Sequence, residues 1–500
     1  MKIRFIVSSD IHGYINPINY ANNQKADLGF LKVLATLKQY KNENTITIDN
    51  GDMLQGSPIM NYYYQNKTGT NPLIKCLNNN YDYINIGNHD FGYGQNNLFE
   101  YINSFNGKCL CGNVLYKGKR IGEEYIIHKF AEDYSIALIG CVTQYTEKFE
   151  SKENLKDFEF EDCYEYAKKT IEIIKNKETV KGIVVVYHGG MEAKPNGEFL
   201  ENGNENEGYR MCRDLDFDIL ISGHQHASIN NIYCGKLVTQ TMDKGKEFAV
   251  IDYDFENKKG EAQLIKATAE VDEDSINQFK ELEDKTQIWL NEDIAVIDNI
   301  NLKIEDELDA RIHKHPLISF INQVQFDATH SDLSAASLFN DATGFNSHIT
   351  TRDLISTYIF ENTLIKVKIN GKVLKQYLEK CADYFTLKDE IEVNEKYLIP
   401  VKRHFDYDMI DGIDYTIKVG NEVGNRVIEM KYQGEDIKPE DEFSLTINNY
   451  RYGGAGGFEF LSKLEVLEVY DKDMVSLIYN YLTKNKDIRV NHKDNIKVIK

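Results

Sequence analysis

The stretch Ile86-Gly87-Asn88-His89-Asp90-Phe91-Gly92-Tyr93-Gly94, "IGNHDFGYG", closes the apolar run "YDYINI". It lines up Asn, His and Asp at the mouth of a strand and sets three glycines among them. Such a run is a poor helix start and a poor piece of core. It suits a backbone that bends tightly so that side chains converge on something.

The pattern repeats elsewhere. The runs "IRFIVSS", "NTITIDN", "GIVVVYH" and "DILISG" are β-branched strand candidates. Each ends within a residue or two in a metal-ligand type: Asp10 and His12 in "SDIHG", Asp52 in "DNGDMLQGSP", His188 in "YHGGME", His224 and His226 in "SGHQHA". With Asn88 and His89 of the opening stretch, polar groups gather at the ends of five strands, which is where α/β folds place their sites.

Asp-x-His on an extended segment puts carboxylate and imidazole on one side, and Gly-His-x-His does the same with two imidazoles. Carboxylate oxygen, amide oxygen and imidazole nitrogen suit Mn, Zn, Fe and similar divalent ions. Asp10, His12, Asp52, Asn88, His188, His224 and His226 are too many ligands for one ion. With Asp52 shared, they suit two ions roughly 3.5–4 Å apart.

The rest of the chain frames this site. At 500 residues, two domains are expected. Residues 1–270 alternate short strands with amphipathic stretches, the mark of an α/β domain. The charged stretch "VDEDSINQFKELEDKTQIWLNEDIAV" predicts a linking helix within 271–312. Residues 313–500 form a second α/β region with strands such as "LIKVKI" and "FSLTIN". A formal net charge of -21 argues against polymeric nucleic acid as the partner and leaves a small anionic substrate open if metal ions reverse the field in a cleft. No window of about 18 apolar residues predicts a membrane span. "MKIRFIVSSD" lacks the features of a secretory leader, so cytoplasmic residence is expected, and the eight scattered cysteines read as reduced thiols.

The order D-x-H, G-D-x-x-Q-G-S, G-N-H-D, H-G-G, G-H-x-H resembles the calcineurin-like metallophosphoesterases. "GDMLQGSP" and the second domain narrow the resemblance to the 5′-nucleotidase family. "YDMIDGIDYTI" and "TINNYRYGGAGGF" are most similar to its 2′,3′-cyclic-nucleotide 2′-phosphodiesterase/3′-nucleotidase branch. The resemblance implies a four-layer αββα catalytic domain and a C-terminal nucleoside-binding α/β domain. It implies one ion (Mn, Zn, Fe, Co or Mg) on Asp10, His12, Asp52 and His226, and a second on Asp52, Asn88, His188 and His224. By the same resemblance His89 is the catalytic imidazole, and a hydroxide generated on the metals attacks phosphorus in line. A nucleotide is the implied substrate. Its base is stacked by Tyr407 and Phe458, with Tyr450 and Tyr452 as competitors. A 5′-nucleotidase or nucleotide-sugar hydrolase is the alternative, and a metal-dependent binding protein that has lost catalysis is the alternative of another class.

Two departures stand out. 5′-Nucleotidases carry an Asp three positions after the catalytic His, where this chain has Gly92; Asp90 is a weak substitute, because adjacent side chains on extended backbone diverge. The Gly-Gly-Ile-Arg substrate motif is absent from "LFNDATGFNSHITTRDL", which leaves Arg352 as the nearest candidate.

Overall fold

The apolar runs named above form the middle of two six-stranded sheets. In the computed structural model, which describes residues 1–67, 69–199, 205–358, 362–399, 402–485 and 488–500, they lie in the first of two units, Met1–Gln287 and Ile288–Lys500.

In one sheet Lys2–Ser8, Thr45–Asp49, Tyr83–Ile84 and Lys108–Cys109 run parallel, with Glu247–Asp254 and Lys259–Lys266 added antiparallel at one side. In the other, Tyr134–Val142, Ile183–His188, Ile219–Ile221 and Lys236–Gln240 run parallel between two antiparallel edges. Ile3, Phe5, Val7, Ile46 and Ile48 of the first sheet share one buried cluster with Leu138, Val184, Val186 and Ile221 of the second. The sheets therefore face each other across a common core. The alternate residues Ile6 and Thr47 are buried on the opposite face, as a period of two requires. Burial on both faces is why these strands read as continuous apolar runs rather than as alternation.

Helix Cys163–Lys177 covers the second sheet. Asp162 caps it by accepting from the Glu165 N–H, and Tyr166, Ala167, Thr170, Ile171 and Ile174 make its buried stripe. Helices and sheets thus form the αββα sandwich expected from the resemblance.

In the second unit, "LIKVKI" and "FSLTIN" lie in strands Thr363–Asn370 and Glu442–Asn448, which pair antiparallel. They belong to a five-stranded sheet, and Asp414–Lys418 belongs to a separate four-stranded one. Helices Pro316–Thr329, Gly371–Ala382 and Met474–Lys484 contribute Leu317, Phe320, Tyr377, Leu378 and Ile478 to this unit's core.

Within 271–312 the structure has helices Glu273–Asn277, Lys280–Leu290 and Asp309–Ile312 and short strands Asp293–Val296 and Leu302–Lys303. The helix Lys280–Leu290 is tied down: buried Glu283 accepts from Asn16 Nδ2, Tyr20 Oη and Gln287 Nε2, each at 2.7 Å. All eight cysteines are free thiols. Among the described residues no helix is long and apolar enough to cross a membrane.

Candidate active site

Every candidate ligand lies at or just beyond the carboxyl end of a parallel strand. Backbone pairing continues past the strands: the N–H groups of Asp10, His12 and Gly13 donate to the carbonyls of Gly51, Asp52 and Met53. Here the backbone takes an unusual form. Asp10, His12, Asp52, His224 and His226 all have left-handed φ, between 50° and 72°. For residues with a Cβ this costs roughly 1–2 kcal/mol each, and such strain persists where the surroundings over-determine it.

Close approach accounts for the first of the three glycines in "IGNHDFGYG". A Cβ on Gly87 would lie 2.2 Å from Asp52 Oδ1, so only a glycine lets the Asn88–Phe91 turn sit against the Asp52 loop.

Two donor groups emerge, each with its ligand atoms within 4.8 Å of one another: Asp10, His12, Asp52 and His226, and Asp52, His188 and His224. Asn88 joins the second through Oδ1, 2.8 Å from His224 Nδ1. Asp52 is common to both. Its Oδ1 accepts from the His89 N–H at 2.7 Å, while Oδ2 lies 3.2 Å from His188 Nε2 and 3.8 Å from His12 Nε2.

Tautomers follow from the partners. His12 Nδ1 is 2.8 Å from the Gln55 carbonyl and His188 Nδ1 is 2.7 Å from the Asn50 carbonyl. A carbonyl can only accept, so Nδ1 carries a proton in both rings and Nε2 is the nitrogen turned into the site, where a cation would displace any proton it holds. His12 Nε2 and His226 Nε2 meet at 3.0 Å, an approach suited to two lone pairs sharing a cation. Asp52 Oδ2 and His188 Nε2 are both fully buried with no hydrogen-bond partner. Orphaned buried polar atoms of this kind are the feature expected of a cation cradle, so the residues present fit divalent ions.

The charges are strongly coupled. Burial pushes the Asp52 carboxyl up, yet the surrounding imidazoles, His188 foremost, hold it well below the usual carboxylate range. Burial lowers His188, but Asp52 and then Asp10 carry it up to about 10. Burial dominates at His89 and pushes its imidazole down to about 4, with Asp52 opposing and the neighbouring imidazoles adding to the fall. The ring stands edge-on to His12, centroids 5.4 Å apart.

Three residues escaped the sequence reading. Gln55 Oε1 lies 2.9 Å from His89 Nδ1, Glu205 Oε1 lies 2.9 Å from His224 Nε2, and Asn50 holds His188. Gln55 and Asn50 sit inside the quoted motif "DNGDMLQGSP", but no spacing rule couples position 55 to 89. Asp90 turns away from His89, and its carboxylate accepts from the N–H groups of Asp52, Met53, Leu54 and Gly87 at 2.8–2.9 Å. It anchors the loop.

In the second unit two expectations need correction. Tyr407 and Phe458 are both 0% exposed. The Tyr407 ring stacks on Tyr384 at 5.1 Å and meets the edge of Phe385. Phe458 lies under the Arg451 guanidinium at 4.0 Å and against Tyr377. Neither offers a face to a base, because both are packed into the core. Tyr450 and Tyr452 are half-buried, and Tyr450 stands 6.0 Å from half-buried Phe405, nearly perpendicular to it. Arg352 donates to Asn291 Oδ1 at 2.8 Å.

Comparison with known proteins accords with this arrangement. Residues 3–228 match the family model of the calcineurin-like phosphoesterases, and residues 294–463 match that of the 5′-nucleotidase C-terminal domain. A solved structure of a candidate 5′-nucleotidase from Staphylococcus aureus, in complex with α-ketoglutarate, is 30% identical; the match covers 100% of both chains with a TM-score of 0.89. The 2′,3′-cyclic-nucleotide 2′-phosphodiesterase/3′-nucleotidase of Haemophilus influenzae is 25% identical over 91% of this chain and 80% of its own length. The trifunctional nucleotide phosphoesterase YfkN of Bacillus subtilis is 23% identical over 98% of this chain, which spans 38% of that relative. With both domains matched and a full-length relative at 30% identity, this chain belongs to the 5′-nucleotidase family of calcineurin-like phosphoesterases, hydrolases that act on phosphoric ester bonds.

Proposed function

We propose that the protein hydrolyses nucleotides as a 2′,3′-cyclic-nucleotide 2′-phosphodiesterase and 3′-nucleotidase. The observation that carries a two-ion reading is the shared Asp52 carboxylate, whose buried, unpartnered Oδ2 faces histidines of both donor groups. Asp10, His12, Asp52 and His226 hold one divalent ion, and Asp52, Asn88, His188 and His224 hold the other. When bound, the ions supply Lewis acidity toward the phosphoryl oxygens and acidify water for attack on phosphorus.

The chain's own residues do the rest. His12 and His188 are pre-oriented by main-chain carbonyls, so no rotamer search precedes ligation. His89, neutral in the substrate-free site, gains affinity for a proton once an anionic phosphate lies beside it. It then stabilises charge on the phosphoryl group and delivers a proton to the departing ribose oxygen. Half-buried Tyr450 of "TINNYRYGGAGGF" and half-buried Phe405, two positions before Tyr407, take the base-stacking role in place of Tyr407 and Phe458.

The specificity rests on the names of several relatives and on Gly92, which stands where 5′-nucleotidases carry an Asp. A 5′-nucleotidase is the second reading, favoured by the Staphylococcus aureus relative. Release of phosphate from 2′,3′-cyclic AMP, 3′-AMP and 5′-AMP, side by side with Mn²⁺, Co²⁺, Zn²⁺ and Mg²⁺, decides between them. Turnover of the first two above the third supports the proposal. Dominant 5′-AMP hydrolysis overturns it, and no hydrolysis of any indicates a binding protein.

A further inference from the structure

We propose that Gln55 is the positioning residue of His89, taking with an amide the place that an acidic side chain at position 92 would take. The inference rests on the catalytic role proposed for His89.

Gln55 is buried, 8% exposed, and its Oε1 lies 2.9 Å from His89 Nδ1. An amide oxygen only accepts, so this contact fixes the imidazole with its proton on Nδ1 and its lone pair on Nε2. The main-chain carbonyl of the same residue accepts from His12 Nδ1 at 2.8 Å. One residue therefore sets the tautomer of a ligand imidazole through its backbone and that of the catalytic imidazole through its side chain.

Gly92 shows that the arrangement is built for the amide. Its φ of -61° and ψ of -24° suit any L-residue, so backbone freedom does not account for the glycine. Space does. A Cβ at position 92 would lie 2.4 Å from both Cδ and Nε2 of Gln55 and 2.5 Å from its Oε1. On the Asn88–Phe91 3-10 turn a residue three positions after His89 eclipses it, so an acid at 92 and the glutamine amide compete for one volume behind the ring. The only other nearby acid of the motif, Asp90, is committed to four backbone N–H groups.

Gln55→Ala, Gly92→Ala and the pair Gln55→Ala/Gly92→Asp test the idea, with His89→Ala as the control for the role of His89. Gln55→Ala and Gly92→Ala are each expected to lower kcat about 10-fold or more with KM within about 3-fold. Melting temperature and metal content by elemental analysis are expected to stay near those of the parent. The double variant is expected to recover most of the lost kcat, because the vacated volume admits the Asp. Long-range ¹H–¹⁵N spectra of the metal-free, histidine-labelled protein read the tautomer without turnover: His89 is expected as Nδ1–H in the parent and as a mixture in Gln55→Ala. Parental kcat in Gln55→Ala, or an unchanged His89 tautomer, overturns the proposal. If His89→Ala itself keeps parental kcat, the role assigned to His89 has failed, and the tautomer spectrum still judges Gln55 by itself.

Discussion

His188 Nε2 and Asp52 Oδ2 face each other at 3.2 Å, close enough for an ion pair but without hydrogen-bond alignment, and both are sealed from solvent. The first consequence concerns Asp52→Asn. It keeps the shape of the side chain and removes the charge shared by both donor groups, and an amide nitrogen cannot ligate. Elemental analysis is expected to find fewer than two ions per chain, and phosphate release is expected to drop by at least about 10²–10³-fold.

Metal uptake is expected to release protons. In the metal-free site Asp52 raises His188 from the usual imidazole range to about 10. A raised folded-state value means that the stability contributed by the charged imidazole is fully present below about 6.5. It is lost as pH rises through about 10. An ion competes with that proton, so apparent affinity is expected to increase with pH across the same window. Calorimetric titration with Mn²⁺ in buffers of different ionisation enthalpy, from pH 7 to 9, measures the released protons; equal heats in all buffers contradict the expectation.

Asp90→Ala leaves the N–H groups of Asp52, Met53, Leu54 and Gly87 without their shared acceptor. A buried donor left unmade costs about 1–3 kcal/mol. A fall in stability of about 2–4 kcal/mol is expected even if water satisfies some of them, with the N-terminal unit melting earlier. Chemical denaturation followed by fluorescence measures it, and Asp90→Asn is expected to lose less.

The aromatic residues of the second unit are expected to separate into two classes. Phe405→Ala and Tyr450→Ala each remove about 1–3 kcal/mol of stacking, so KM for 3′-AMP rises by about 5- to 150-fold with kcat less affected. Tyr407→Ala instead opens a cavity beside Tyr384 and Phe385 and lowers stability by about 3–5 kcal/mol. Steady-state kinetics beside thermal melts tell the classes apart.

The catalytic fold and the donor set were legible because they are local. Each ligand-type residue ends its own apolar run or follows it within three positions, and parallel strands deliver such ends to one edge. Gln55 and Glu205 were not legible, since their partners lie 34 and 19 positions away and tertiary packing alone brings them together. Tyr407 and Phe458 were misread for a related reason. A motif marks that an aromatic is needed, but whether its ring faces a cleft or a core depends on neighbours such as Tyr384 and Arg451 that no local pattern names.

The left-handed backbone at Asp10, His12, Asp52, His224 and His226 carries one more implication. Those torsions are unfavourable for residues with a Cβ, and ions held by these side chains would reward the same conformation, so ion occupancy and rigidity are expected to rise together. Thermal tolerance of the N-terminal unit is therefore expected to follow divalent-ion supply.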